Sequence, residues 1–300
     1  MSLAATGAMR RFARADILLE RLSYTYPGAQ TTALSEITLT IAQGEYVALL
    51  GHNGSGKSTL ARIIGGLTRP TSGRVTVAGL DVAEPTNRAQ ARQIIGMIFS
   101  DPDNQIVATV VEDDVGWGLA ARGFAHDVIW QRTRAALTAV GLGGAYGLAP
   151  NELSGGQRQR LAIAGVLALE PSVLIADEPT AMLDPRSRVE ISALLRQLNR
   201  EQGLTVIHVT HLLEEAAEAH RVVALDGGRV ALDAAPVIAF ADLDRLRALR
   251  LVIPDTALLA ERLRTMGARV ANDALTPEAL VAALEQNREQ ALEQDREQAR

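Results

Sequence analysis

At 300 residues the chain is long enough for one large or two ordinary domains, and either can bury a sizeable core. Hydrophobic residues at 47% against 22% charged exclude a disordered chain, and a net charge of −5 without a long basic block gives no reason to expect a nucleic-acid groove. Zero cysteines exclude disulfides and thiol chemistry, and the longest wholly apolar run, residues 161–169, is too short to cross a bilayer, so any role at a membrane is peripheral.

Residues 1–16 read as a loose leader, with the apolar part before Arg10, Arg11 and Arg14, the reverse of a secretory signal. Alternating apolar residues predict strands over 17–24 and 34–41, joined by a turn at Pro27-Gly28. Tyr24 and Tyr26 fall here in a chain only 3% aromatic. Either ring offers a flat π face on which an adenine can stack, and either equally fits an ordinary strand position. The apolar run 46–50 then leads into Gly51-His52-Asn53-Gly54-Ser55-Gly56-Lys57-Ser58, which fits G-x-x-x-x-G-K-[ST], and a helical pattern follows with Leu60, Ile63, Ile64 and Leu67 apolar. Strand, glycine-rich loop and helix in that order predict a phosphate-binding loop. Its glycines let backbone N–H groups turn inward around phosphate oxygens, and the helix aims its positive end at the same charge. Lys57 reaches the β/γ-phosphates and the Ser58 hydroxyl joins a Mg²⁺ shell.

Further on, the pattern predicts a strand over 73–78, a helix over 89–93, a buried strand over 94–99 and one long helical stretch from 110 to 140. Leu153-Ser154-Gly155-Gly156-Gln157 opens a helix through Ala168. A serine and two glycines at a helix start make a second anion-binding edge or an ordinary serine cap. The strand 173–178 ends in Asp177 and Glu178, a pairing in which the first acid holds Mg²⁺ and the second orients the attacking water in phosphate-loop nucleotidases. The strand 205–209 ends at Thr210-His211, where the histidine is structural unless a γ-phosphate lies nearby; His208, inside the strand, reads as a core residue.

In this order, GHNGSGKS at 51–58, LSGGQ at 153–157, VLIADEP at 173–179, MLD at 182–184 and VTH at 209–211 resemble the ATP-binding-cassette (ABC) ATPases over residues 17–233. The resemblance implies an α/β fold: a phosphate-loop NTPase core with a mostly parallel sheet flanked by helices, an N-terminal antiparallel β subdomain, and a helical subdomain at about 100–168 carrying LSGGQ. It also implies a head-to-tail dimer, each ATP lying between the phosphate loop of one subunit and the LSGGQ of the other. Carried over by residue, Tyr26 stacks on adenine, while Gly51, Asn53, Gly54, Ser55, Gly56, Lys57, Ser58 and Thr59 bind ATP. Ser58 and Asp177 hold Mg²⁺, Glu178 is the general base or water-orienting carboxylate, and His211 contacts the γ-phosphate. Ser154, Gly155, Gly156 and Gln157 close over the partner's ATP, and Asp184 signals between the two sites. One departure stands out: Ser100 occupies the position where similar cassettes carry a glutamine that reaches the metal and attacking water. Three readings stay open: a water-bridged Ser100, a substitute such as Gln105 on a different loop path, or weakened hydrolysis or coupling.

The segments 101–107 and 110–115 resemble the energy-coupling factor ATPases, which drive uptake of vitamins and of cobalt or nickel ions. Residues 234–282 are similar to the small α/β C-terminal extension of those proteins, which helps hold two ATPase subunits together. The stripe Leu258, Leu259, Leu263 fits that role or a private core. ALEQNREQ at 283–290 and ALEQDREQ at 291–298 form a charged low-complexity tail, helical or frayed, with no chemistry assigned. The expectation is the ATP-hydrolysing subunit of an energy-coupling factor-type importer, peripheral on the cytoplasmic face of the cell membrane. Its expected partners are a second ATPase subunit (identical or related), a transmembrane coupling protein and a substrate-binding membrane subunit, with no nucleic acid. The alternatives are a soluble ABC ATPase with a non-transport partner, and a nucleotide-binding regulatory module with weak turnover, which Ser100 keeps open.

Overall fold

The computed structural model describes residues 16–272 and 274–298, so the expected leader, apart from Asp16, lies outside the described residues. Apolar alternation in Ile17–Tyr24 (β1) and Leu34–Ile41 (β2) puts Ile17, Leu19, Ile37, Leu39 and Ile41 inside. Between the two strands the turn forms as expected, Ala29 N–H donating to Tyr26 O at 3.0 Å. Tyr46–Leu50 (β3) is buried at every residue, the pattern of a parallel strand covered on both faces. Lys57–Ile64 (α1) follows, then Ser72–Val77 (β4) and Leu80–Asp81 (β5). These complete an antiparallel sheet of order β2-β1-β4-β5.

Pro85–Ile94 (α2) leads into Ile95–Ile98 (β6). The single helical stretch predicted for 110–140 is two helices, Val111–Ala121 (α3) and His126–Ala139 (α4). Phe124 N–H turns back to Leu119 O at 3.2 Å, so the chain reverses where the apolar period alone shows no break. Gly155–Leu167 (α5), Val173–Asp177 (β7), Pro185–Gln202 (α6), Thr205–Val209 (β8) and Leu213–Ala216 (α7) follow. Arg221–Asp226 (β9) and Arg229–Ala234 (β10) end a six-stranded sheet of order β10-β9-β3-β8-β7-β6, parallel except for β10.

The central strands divide two cores between their faces. Tyr46, Ala48, Leu50, Leu174 and Ala176 pack with α3, α4, α5 and α6, while Val47, Leu49, Val173 and Ile175 pack with α1 and the antiparallel sheet. Because β3, β8 and β7 are adjacent and parallel, their carboxyl ends lie side by side, the usual place for a ligand in an open α/β sheet.

Beyond β10, where an α/β extension is expected, the described residues form helices: Pro236–Ala239 (α8), Leu243–Ala248 (α9), Asp255–Thr265 (α10) and Pro277–Gln298 (α11). Strand character there is limited to a single bridge, Leu212 to Val252, and Pro254, having no N–H, cannot extend it. Phe240, Leu243 and Leu246 join the main core, whereas Ala260, Val270, Ala274 and Leu280 form a small one of their own, with Leu263 against it. The stripe is thus divided: Leu263 is private core, and Leu258 and Leu259 are 38% and 49% exposed. The tail repeats lie within α11, as their Ala, Leu, Glu, Gln and Arg content favours.

Candidate active site

The loop between β3 and α1 is shaped by its glycines. Gly56 has φ +106°, and a Cβ there would stand 2.9 Å from Ala33 O and 2.7 Å from Leu34 Cδ2, so no side chain fits without displacing β2. Gly56 is also the N-cap of α1, with no side-chain cap and no acid in the first turn, which leaves the first-turn amides open to an anion. Lys57 is 4% exposed; its Nζ donates to Gly51 O at 2.8 Å and His52 O at 3.1 Å, and burial lowers its pKa against the opposing pull of Glu178 and Asp177. Ser55 is fully buried, and its Oγ has no hydrogen-bond partner among the described residues. Tyr26 stands at the loop's edge, 44% exposed, its hydroxyl sharing a 2.8 Å hydrogen bond with Thr59 Oγ1 and its ring edge-on to Tyr24 at 4.9 Å.

The ends of β7 and β8 supply the other half. Ser58 Oγ donates to Asp177 Oδ1 at 2.8 Å, and burial raises the pKa of Asp177 while that hydrogen bond lowers it. A hydroxyl and a carboxylate so close form a hard-oxygen pair of the kind that would suit Mg²⁺. Glu178 lies between two cationic or neutral nitrogen groups: Oε1 is 3.8 Å from Lys57 Nζ and Oε2 is 3.6 Å from His211 Nδ1. That Nδ1 is buried without a hydrogen-bond partner among the described residues. Five of the predicted side chains therefore meet at the carboxyl ends of three neighbouring strands.

Ser154, Gly155, Gly156 and Gln157 stand apart from this group. No hydrogen bond or ion pair joins them to residues 51–59 among the described residues. Instead they form a reciprocal cap on α5, Gln157 N–H donating to Ser154 Oγ at 3.3 Å and Ser154 N–H to Gln157 Oε1 at 2.8 Å. Asp184 caps α6 beside them, accepting from Arg186 N–H and Ser187 N–H at 3.0 Å and from Ser187 Oγ at 2.6 Å, contacts that hold its carboxyl below the usual range. Ser100 is half-buried after Phe99. The Gln105 amide is committed elsewhere, accepting from Phe99 N–H and donating to Ala162 O, each at 3.3 Å, and both bonds would break before it served as a substitute.

An ABC transporter family model matches residues 34–181. The "Energy-coupling factor transporter ATP-binding protein EcfA1" of Symbiobacterium thermophilum is 48% identical over 277 residues, 90% of this chain and 96% of that protein. The chain belongs to the energy-coupling factor branch of the ABC transporter ATPases. The namesake from Caldanaerobacter subterraneus is 40% identical over 88% of this chain and 97% of its own length. The structure of cbiO1 from Clostridium perfringens, part of the ABC transporter complex cbiONQ, superposes with a TM-score of 0.72 at 37% identity, covering 83% of this chain and 99% of that one. A dimeric ATP-binding cassette in a post-hydrolysis state, bound to ADP and Pi, superposes at 0.67 with 32% identity, covering 73% and 98%.

Within this ABC ATPase, sequence reasoning passed over several site residues. His52 fills an unspecified position of the loop motif, yet its Nε2 is 3.0 Å from Asp226 Oδ1 and ties the loop to the end of β9. Gln159, fully buried, donates to Phe99 O at 3.3 Å, so Phe99 is held on its N–H by Gln105 and on its C=O by Gln159. Glu215 reaches the loops after β7 and β8 from α7. None of these belongs to a spacing pattern that a single sequence displays.

Proposed function

We propose that the chain is the ATP-hydrolysing subunit of an energy-coupling factor-type importer, seated peripherally on the cytoplasmic face of the cell membrane. Its partners are a second ATPase subunit, identical or related, a transmembrane coupling protein and a substrate-binding membrane subunit. The cargo, a vitamin or a transition-metal ion, is handled by those membrane subunits. The observation that carries this reading is the meeting of Lys57, Ser58, Asp177, Glu178 and His211 at the ends of β3, β7 and β8. The names of the similar proteins support the transport setting. No helix among the described residues is long and apolar enough to cross a membrane, which fits a subunit that relies on others to do so.

Mg²⁺, when bound, neutralises charge developing on the phosphates. Ser58 and Asp177 are the residues that would hold it. Gly51, Asn53, Gly54, Ser55, Gly56, Lys57 and Thr59 line the phosphate cradle, and Tyr26 offers its ring to adenine. Glu178 accepts or orients the proton of the attacking water, and His211 faces the γ-phosphate. Ser154, Gly155, Gly156 and Gln157 of a second subunit close over the nucleotide, and Asp184 beside them carries the signal across. Phosphoryl transfer to water asks the protein mainly for positioning and charge, so loss of one placed carboxylate is costly. Glu178→Gln is expected to lower ATP turnover by at least about 100-fold and to hold an ATP-bound dimer long enough to elute as one in size-exclusion chromatography. Turnover at the wild-type rate would remove Glu178 from the role of base.

A further inference from the structure

Glu215, on α7, is 5% exposed and has no part in the roles given above. Its carboxylate accepts two short hydrogen bonds, from Thr180 Oγ1 to Oε1 at 2.6 Å and from Thr210 Oγ1 to Oε2 at 2.5 Å. Thr180 lies just past Glu178, and Thr210 directly precedes His211. Both threonines are 2% exposed, so these are short hydrogen bonds in a water-poor place, where such bonds are stronger than in water. One carboxylate therefore ties the loop of the water-orienting acid to the loop of the phosphate-facing histidine.

The buried charge is supported from behind. His208 Nε2 lies 3.4 Å from Glu215 Oε2, and His208 Nδ1 is 2.9 Å from the Tyr46 hydroxyl. Burial lowers the pKa of His208 and raises that of Tyr46, so both are neutral. A neutral imidazole has one N–H. With it on Nε2, facing the carboxylate at 3.4 Å without a formed hydrogen bond, Nδ1 accepts from the Tyr46 hydroxyl.

Glu178 itself needs such restraint. Its φ is +50°, a left-handed conformation unusual for a side chain with a Cβ, and its N–H donates to Val209 O at 3.0 Å. A strained residue at a reacting position persists only where its surroundings over-determine it. The backbone bond to Val209 and the Thr180–Glu215–Thr210 tie both join the end of β7 to the end of β8.

We propose that Glu215 is a positioning residue, fixing the spacing of Glu178 and His211 by holding Thr180 and Thr210 on one carboxylate. The proposal rests on the roles assigned to Glu178 and His211 above. Its test measures ATP turnover, ATP affinity and melting temperature of the full-length chain, at a concentration that saturates its rate. Removing both hydroxyls at nearly constant shape, T180V/T210V, is expected to lower kcat by about 10- to 100-fold while the Kd for ATP with Mg²⁺ stays within about twofold. T180S/T210S, which keeps the hydroxyls and drops the methyls, recovers kcat to within about threefold of the wild type. Wild-type kcat in the valine variant overturns the proposal. An equal loss in the serine variant does so too, because the effect would then be packing. If T180V/T210V does not fold, the single valine variants are read in its place, and wild-type kcat in both overturns it. Glu178→Gln run alongside separates the two claims. Should it keep full activity, the functional reading fails; should it lose activity while the valine variants keep theirs, only the Glu215 tie fails.

Discussion

Phe99 is held by two glutamines, one on its N–H and one on its C=O, so the residue after it has little freedom to move toward the nucleotide. That residue is Ser100, whose hydroxyl reaches less far from the backbone than a glutamine amide. Gln105 is occupied at both ends, which leaves a water-bridged Ser100 and weakened hydrolysis or coupling as the two open readings. Fixing a bridging water costs about 0–2 kcal/mol, up to roughly a 30-fold effect on a rate. Ser100→Gln is therefore expected to raise ATP turnover, by no more than about 30-fold, measured as phosphate release at saturating ATP. An unchanged or lower rate would mean that no water-bridged contact limits the wild-type protein. At this scale the motif letters were legible because each sits at a fixed offset in a recurring pattern. Gln159 and Glu215 were not, because the partner of Gln159 is 60 residues away and one of the two partners of Glu215 is 35 away, so only the fold brings them together.

The helix that begins at the LSGGQ cap reaches the sheet through a gap left by one small residue. A Cβ on Gly96 would lie 2.2 Å from Val166 Cγ1, 3.2 Å from Pro171 Cγ and 3.4 Å from Leu174 Cδ1. Val166 is β-branched and 8% exposed, so it cannot swing clear. Gly96→Ala is expected to force α5 off β6 and to destabilise the protein by about 1–3 kcal/mol, read from urea denaturation midpoints at constant slope. Val166→Ala in the same chain reopens the space and recovers part of the loss. A Gly96→Ala protein as stable as the wild type would show that the β6–α5 contact yields freely. The strand itself was legible as an apolar run. Its closeness to a helix some seventy residues on was not, and neither was the reversal between α3 and α4, since apolar periodicity continues through both helices. In the extension the resemblance implied an α/β fold, and with Pro254 and the helical neighbours only a bridge at Val252 forms among the described residues.

Taken as a whole, the molecule carries two separate glycine-rich helix starts. One, at Gly56 and Lys57, is backed by Asp177, Glu178 and His211; the other, at Ser154 to Gln157, has no bonded link to it. The groups proposed for metal binding and water activation all lie on the first side, and the second offers amides and a hydroxyl. On the proposed reading the two are halves of different sites, each completed by another subunit. Nucleotide binding and turnover should then separate on dilution. Lys57, the α1 amides and Tyr26 belong to one chain, so a verified monomer is expected still to bind ATP, and the dimer to bind it more tightly because closure adds the second subunit's donors. Closure by the second subunit's Ser154 to Gln157 excludes water and adds donors at the γ-phosphate, so turnover per chain is expected to rise at least about tenfold over the concentration range in which light scattering shows dimer forming. The two curves should share a midpoint. If turnover per chain stays constant down to a verified monomer, the shared site is wrong, and residues 51–59 with Asp177, Glu178 and His211 suffice alone.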